Sequence, residues 1–268
     1  MGLGGWIEVG RMDELGRLDS PVHRVHAQAK TVTTGLFVVA VMSFARDEVS
    51  ALTPFFLYPL ALMALGKIPP GYLVRKVLMA APFAIAVGMF NPVFDRQPAF
   101  AIGALTVSGG WLSFASILLR FALTVSAAMV LVACTGMHRL CAGLERMGLP
   151  RILTVQLLFL YRYVFVVGAE GSRMVRSVEL RASLTRALRF RVYGSLVGNL
   201  LLRSMARADR IYRAMLARGF DGEIRVLRPA RFRLSDLAFV CGWAAFFAAA
   251  RFWNLAGLLG SLLTKGVS

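Results

Sequence analysis

Residues 111–135 read WLSFASILLRFALTVSAAMVLVACT, and Arg120 is the only charged side chain in the run. A bilayer core about 30 Å thick is crossed by about twenty apolar residues of α-helix. This run is long enough, and Trp111 stands where an interfacial aromatic belongs. The rest of the chain has the same character. It has 268 residues, 57% hydrophobic and 17% charged, with a mean hydropathy of +0.65. Soluble domains are nearer about 45–50% apolar and about 25% charged. A soluble single domain is therefore excluded, because a core of this size could not hide so much apolar surface. The 31 Lys and Arg outweigh 14 Asp and Glu, for a net charge of +17. In a soluble protein that excess would suggest nucleic acid. In a membrane protein it marks cytoplasmic segments, and no nucleic-acid partner is expected.

Working outward from 111–135, further apolar runs lie at 31–45, 49–66, 77–94 and 237–250. The run 31–45 is short, and Lys30 and Arg46 are expected to snorkel at its ends. Prolines distort the second and third runs. KIPPGYLVRK (67–76) reads as a loop, and a Gly-rich connection leads to Gly109-Gly110. Ser235 and Asp236 read as N-cap residues of the last span, with Trp253 at its far interface. The expected fold is an all-α integral membrane protein with about five transmembrane helices and long amphipathic cytoplasmic helices. No signal peptide is expected, since the first thirty residues are mixed-charge. Cys134, Cys141 and Cys241 form no CxxC pair, so neither a disulfide framework nor a zinc site is expected.

Composition changes after Thr135. Residues 136–233 hold 19 Arg, no Lys and six acids. The expected division is 1–135, an N-terminal segment and four spans; 136–233, cytoplasmic and interfacial helices; and 234–268, a last span and tail. With the N-terminus in the cytoplasm, 26 cationic side chains fall inside and four outside. Without the long segment, which exceeds what the rule strictly covers, the ratio is still seven to four.

Tyr193–Arg218 carries a 3.6-period apolar stripe through Leu196, Leu200, Leu201, Met205, Tyr212 and Met215. Arg203, Arg207 and Arg210 mark another face, and Asp209 and Arg213 form an i,i+4 pair. Gly219 supplies a left-handed cap, with Arg218 in the last turn. Residues 152–181 form a second long helix, apolar and then basic. Gln156, Arg162 and the flanking tyrosines lay it along the interface rather than across the membrane. Residues 137–149 form a shorter amphipathic helix.

The apolar runs contain no Asp, Glu or His, which argues against a proton or ion path. No Walker A sequence is present. His23 and His26 lack the further ligands a metal needs. No cofactor or metal is expected.

RADRIYRAMLARGFDGEIR (207–225) resembles the second Ala-Arg-Gly motif of the transmembrane coupling (T) component of energy-coupling-factor ABC importers. LDSPVHRVHAQAK (18–30) is similar to the segment before that family's first span, although the usual Asp-Pro-Arg is His26-Ala27-Gln28 here. MFNPVFDRQP (89–98) and SGGWLSFASILLRFALT (108–124) also look like family segments. LERMGLPRILTVQLLFLYRYVFVVGAE (144–170) resembles the cobalt-type members, the CbiQ family. The family's first Ala-Arg-Gly falls at Leu180-Arg181-Ala182, where only the arginine is kept.

The resemblance implies a non-catalytic subunit for cobalt uptake. Two cytoplasmic ATP-binding subunits would take up helix ends at Arg181 and at Ala217, Arg218 and Gly219. Long helices would transmit their motion to a metal-binding membrane subunit (the S component), and a small accessory membrane subunit is left open. The same role for nickel or a vitamin is an alternative. An independent secondary carrier would show internal repeats and mid-membrane polar residues, and neither is visible. A membrane enzyme would need convergent acids, histidines or nucleophiles.

Overall fold

A computed structural model describes residues 20–44, 50–91, 98–102, 105–181, 186–222 and 232–252. These residues form two compact units, one from 20–143 with 232–252 and one from 144–222. Trp253, Arg46, Arg96 and most of the 89–98 motif lie outside the described residues.

The first unit begins with a helical turn, α1 (Pro21–Arg24), followed by α2 (Ala27–Met42). The second apolar run is not one α-helix. It starts as a 3₁₀ segment, Ser50–Phe56, containing Pro54, and continues as α3 (Leu57–Leu65) with Pro59 near its start. Each proline removes an N–H from the ladder, which keeps the first stretch tight and short. α4 (Pro70–Gly88) starts well before the expected boundary. The stretch taken for a loop contains its first turns, because Pro69-Pro70 opens the helix where a missing N–H costs nothing. A β-ribbon occupies the expected connection. β1 (Pro98–Ile102) pairs antiparallel with β2 (Leu105–Ser108), Phe100 opposite Val107 and Ile102 opposite Leu105. Then come α5 (Gly109–Thr135), α6 (Met137–Arg146) and, after the second unit, α9 (Leu234–Phe252).

The core of this unit is aromatic. Phe37 of α2 stacks on Tyr58 of α3 at 4.8 Å, and Phe247 of α9 lies 5.5 Å from Phe37 and 5.9 Å from Phe55. Offset and edge-on rings of this kind add about 0.5–1.5 kcal/mol per pair beyond burial. α4 approaches α5 closely at Gly88, where a Cβ would meet Phe114 at 2.8 Å.

The second unit contains α7 (Arg151–Glu179) and α8 (Arg186–Leu216). Among the described residues, α4, residues 110–135 of α5, α7 and α9 are long and apolar enough to cross a membrane. α2 has 16 residues, about 24 Å of helix, and falls short of the bilayer core. Apart from the β-ribbon, the described residues form the expected helical, multi-pass membrane fold, with two further differences. The first two apolar runs make short helices, and α7, assigned to the interface from its polar side chains, meets the length and composition of a span.

Candidate functional site: two helix tips and the groove between their helices

α8 ends in a Schellman motif. Gly219 has φ +79°, its N–H donates to the Leu216 carbonyl at 2.9 Å, and the Phe220 N–H donates to the Met215 carbonyl at 3.0 Å. A side chain at Gly219 would be strained whatever the space around it, so glycine is required to stop the helix here. The cap leaves Arg218 as the residue that closes the helix, exposed together with Ala217 and Gly219. The aligned peptide dipoles give this end a partial negative charge, which the guanidinium complements. The expected Asp209–Arg213 pair is present at 2.8 Å.

α7 ends differently. The Leu180 N–H donates to Arg176 and the Arg181 N–H to Val178, a tightening last turn without a left-handed residue. Arg181 is exposed in that turn, and Ala182 lies outside the described residues. The two motif arginines therefore sit at the C-terminal ends of two different helices.

Between α7 and α8 runs an open groove of about 430 Å³. Four arginines line it (Arg173, Arg181, Arg203 and Arg207), with one acid, Glu170. Glu170 is paired across the groove with Arg207 and more loosely with Arg203, at 3.8 Å. The side chain of Glu170 is only 14% exposed. Sequence reasoning saw the arginine face of α8 but not its partner. A signal was present: Glu170 is the first acid after the apolar half of α7, and Arg203 and Arg207 are spaced i,i+4 to meet one carboxylate.

A second polar cluster lies in the other unit, at the HRVHAQAK segment. Lys30, expected to snorkel, is instead 2% exposed, and its Nζ donates to the Cys134 carbonyl at 2.9 Å. That carbonyl is an orphan of the C-terminal turn of α5, so an amino group there satisfies it without water. Asp236 is not the N-cap of α9. It sits in the first turn and reaches back to the Arg233 N–H at 2.8 Å, as an acid does in a capping box. Its other oxygen accepts from the His26 N–H at 2.9 Å. His23 shares a hydrogen bond with Ser20, and His26 accepts from the Gln28 N–H. Both histidines are thus held within the fold.

The chain is similar to known transport proteins. The family model described as cobalt transport protein, CbiQ, matches residues 19–227. The chain belongs to the CbiQ family. Among similar chains, an uncharacterised protein of Methanocaldococcus jannaschii, MJ1571, is 24% identical over 241 residues, covering 84% of this chain and 80% of that one. The nickel permease LarQ of Lactiplantibacillus plantarum is 34% identical over 116 residues, 42% of each chain. The cobalt transport protein CbiQ of Rhodobacter capsulatus is 35% identical over 94 residues, 34% of this chain and 38% of that one. The match to the CbiQ family takes in both helix tips, the groove and the Lys30–Cys134 contact, and ends before Asp236. With its apolar helices, it makes the chain a membrane protein of a cobalt transport family.

Proposed function

We propose that this chain is the transmembrane coupling subunit of an energy-coupling-factor importer, carrying the motion of two ATP-binding subunits to a substrate-binding membrane partner. The observation that carries this reading is the α8 tip. An exposed arginine closes a 31-residue helix and is followed by a glycine at positive φ, within the region matched to the family. A guanidinium presented in that way can make a bidentate, charge-assisted bond to a carboxylate in a partner groove. Arg181 offers a second contact of the same kind. The apolar residues that α8 leaves exposed, among them Val197, Leu201, Met205 and Tyr212, suit a membrane partner or lipid. ATP hydrolysis is assigned to the partner ATPases.

Cobalt is the leading cargo, because the family model is described by it. Nickel is the second reading, favoured by the 34% identity to LarQ over 116 residues. We place the N-terminus and residues 136–233 in the cytoplasm, with α7 along the inner interface, because basic side chains flank both ends of α7. The test is purification of the tagged subunit in mild detergent from cells that also express the neighbouring transport genes. Co-purifying ATP-binding subunits, and ATP-driven cobalt uptake by the reconstituted complex, are expected. A subunit that moves cobalt alone in proteoliposomes would make it an independent carrier.

A further inference from the structure

The groove between α7 and α8 has an uneven charge that its single acid must hold together. Four arginines line it, and Glu170 alone among its lining residues is negative. The acid makes two contacts, both to α8, through Arg207 and Arg203 one turn apart. The helices touch at the same level, since a Cβ on Gly171 would lie 3.3 Å from Leu200 Cδ2. A small residue lets the backbones close up, and the neighbouring ion pair selects one crossing among the several that apolar ridges would allow. Arg207 is 33% exposed, so the pair is partly shielded from solvent screening.

The position of this pair along the helices gives it a mechanical meaning. Eleven residues separate Glu170 from Arg181, and eleven separate Arg207 from Arg218. At 1.5 Å per residue, each tip stands about 16 Å from the pair. A turn of about 10° at the crossing would move a tip by about 3 Å on an arm of that length.

We propose that Glu170 is a positioning residue that fixes the crossing of α7 and α8, so that displacement of either arginine tip is passed through the crossing instead of being lost as independent helix motion. This inference rests on the coupling reading above. It follows from the charge balance as well as from the geometry. Taking away the carboxylate removes an attraction and leaves like charges of Arg173, Arg203 and Arg207 facing one groove, which pushes the helices apart.

The experiment uses the complete complex, with its ATP-binding and substrate-binding subunits, reconstituted in proteoliposomes. The variants are Glu170→Arg, Arg207→Glu and the double swap, and the readout is cobalt taken up per ATP hydrolysed. Each single variant is expected to lower this ratio about tenfold while the ATPase subunits still co-purify, a loss within the usual range of coupling between sites. The double swap is expected to restore most of it, which a merely destabilising change would not show. Single variants with unchanged ratios, or a swap no better than either single change, would overturn the proposal. Wild-type complex without ATP-driven uptake would instead strike at the coupling reading itself. Should the charge reversals fail to accumulate, Glu170→Gln carries the test with nitroxide labels on Ser177→Cys and Asn199→Cys. A narrow inter-label distance that broadens in the Gln variant is expected, and an unchanged distribution refutes the proposed role.

Discussion

A glycine in the left-handed region and the arginine before it shape the end of α8, the tip proposed to meet a docking partner. Arg218 is exposed at the end of its helix, so Arg218→Glu is expected to leave membrane insertion and amount unchanged. Cobalt uptake is expected to vanish and the ATPase subunits to loosen, because breaking a charge pair buried in the complex costs about 2–5 kcal/mol. Arg181→Glu is expected to fall between Arg218→Glu and Arg203→Glu in severity. Uptake and co-purification of the three variants check the order, and equal mild losses would mean all three are solvated charges. Asp236 is the opposite case, a structural residue of the other unit. Asp236→Ala strips partners from the His26 and Arg233 N–H groups, and a buried orphan donor costs about 1–3 kcal/mol. The thermal midpoint of the detergent-solubilised subunit is expected to fall, with Asp236→Asn retaining part of the stability. These residues show what the sequence makes readable. The Gly219 cap and the Asp209–Arg213 pair lie within one turn of their partners, so spacing alone reveals them. Glu170 and Arg207 are 37 residues apart, and no local pattern joins them.

At the scale of elements, periodicity recovered the long helices better than it recovered their ends or their depth. α8 begins at Arg186, earlier than its apolar stripe, and α4 begins at Pro70 inside an apparent loop. KIPPGYLVRK reads as a loop, whereas a proline at the first helical position is a starter. Depth is harder still, since α7 has the composition of a span and the flanking charges of an interfacial helix. The difference is measurable. With native cysteines replaced, Ser195→Cys on α8 is expected to resist an impermeant thiol reagent in intact cells and to react after permeabilisation. Thr106→Cys on the ribbon is expected to react in intact cells. Labelling of Ser195→Cys from outside would show that α7 crosses the membrane and would reverse the placement of α8.

For the molecule as a whole, the apolar composition and the charge distribution announce a membrane protein with one strongly basic segment. The core that joins its apolar runs came only from the structure. The purified subunit alone is expected to show no ATP hydrolysis above background, and activity that survives removal of every ATPase subunit would contradict the coupling role. The buried cluster around Lys30 also bears on how the molecule is made. Lys30 is held by a carbonyl 104 residues downstream, and His26 by a carboxylate 210 residues downstream. A ribosome finishes the first apolar helix long before either partner has been synthesised. Until then an unmet amino group at the head of that helix keeps company with water and lipid headgroups. The bundle is a clasp whose second half is manufactured last. A nascent chain halted at residue 231 has Cys134 but lacks Asp236 and α9, the helix whose Phe247 packs on Phe37 of α2, and is therefore expected to insert yet remain more open to trypsin at Lys30 than the finished chain. Equal protection of both would mean the clasp closes without its final helix.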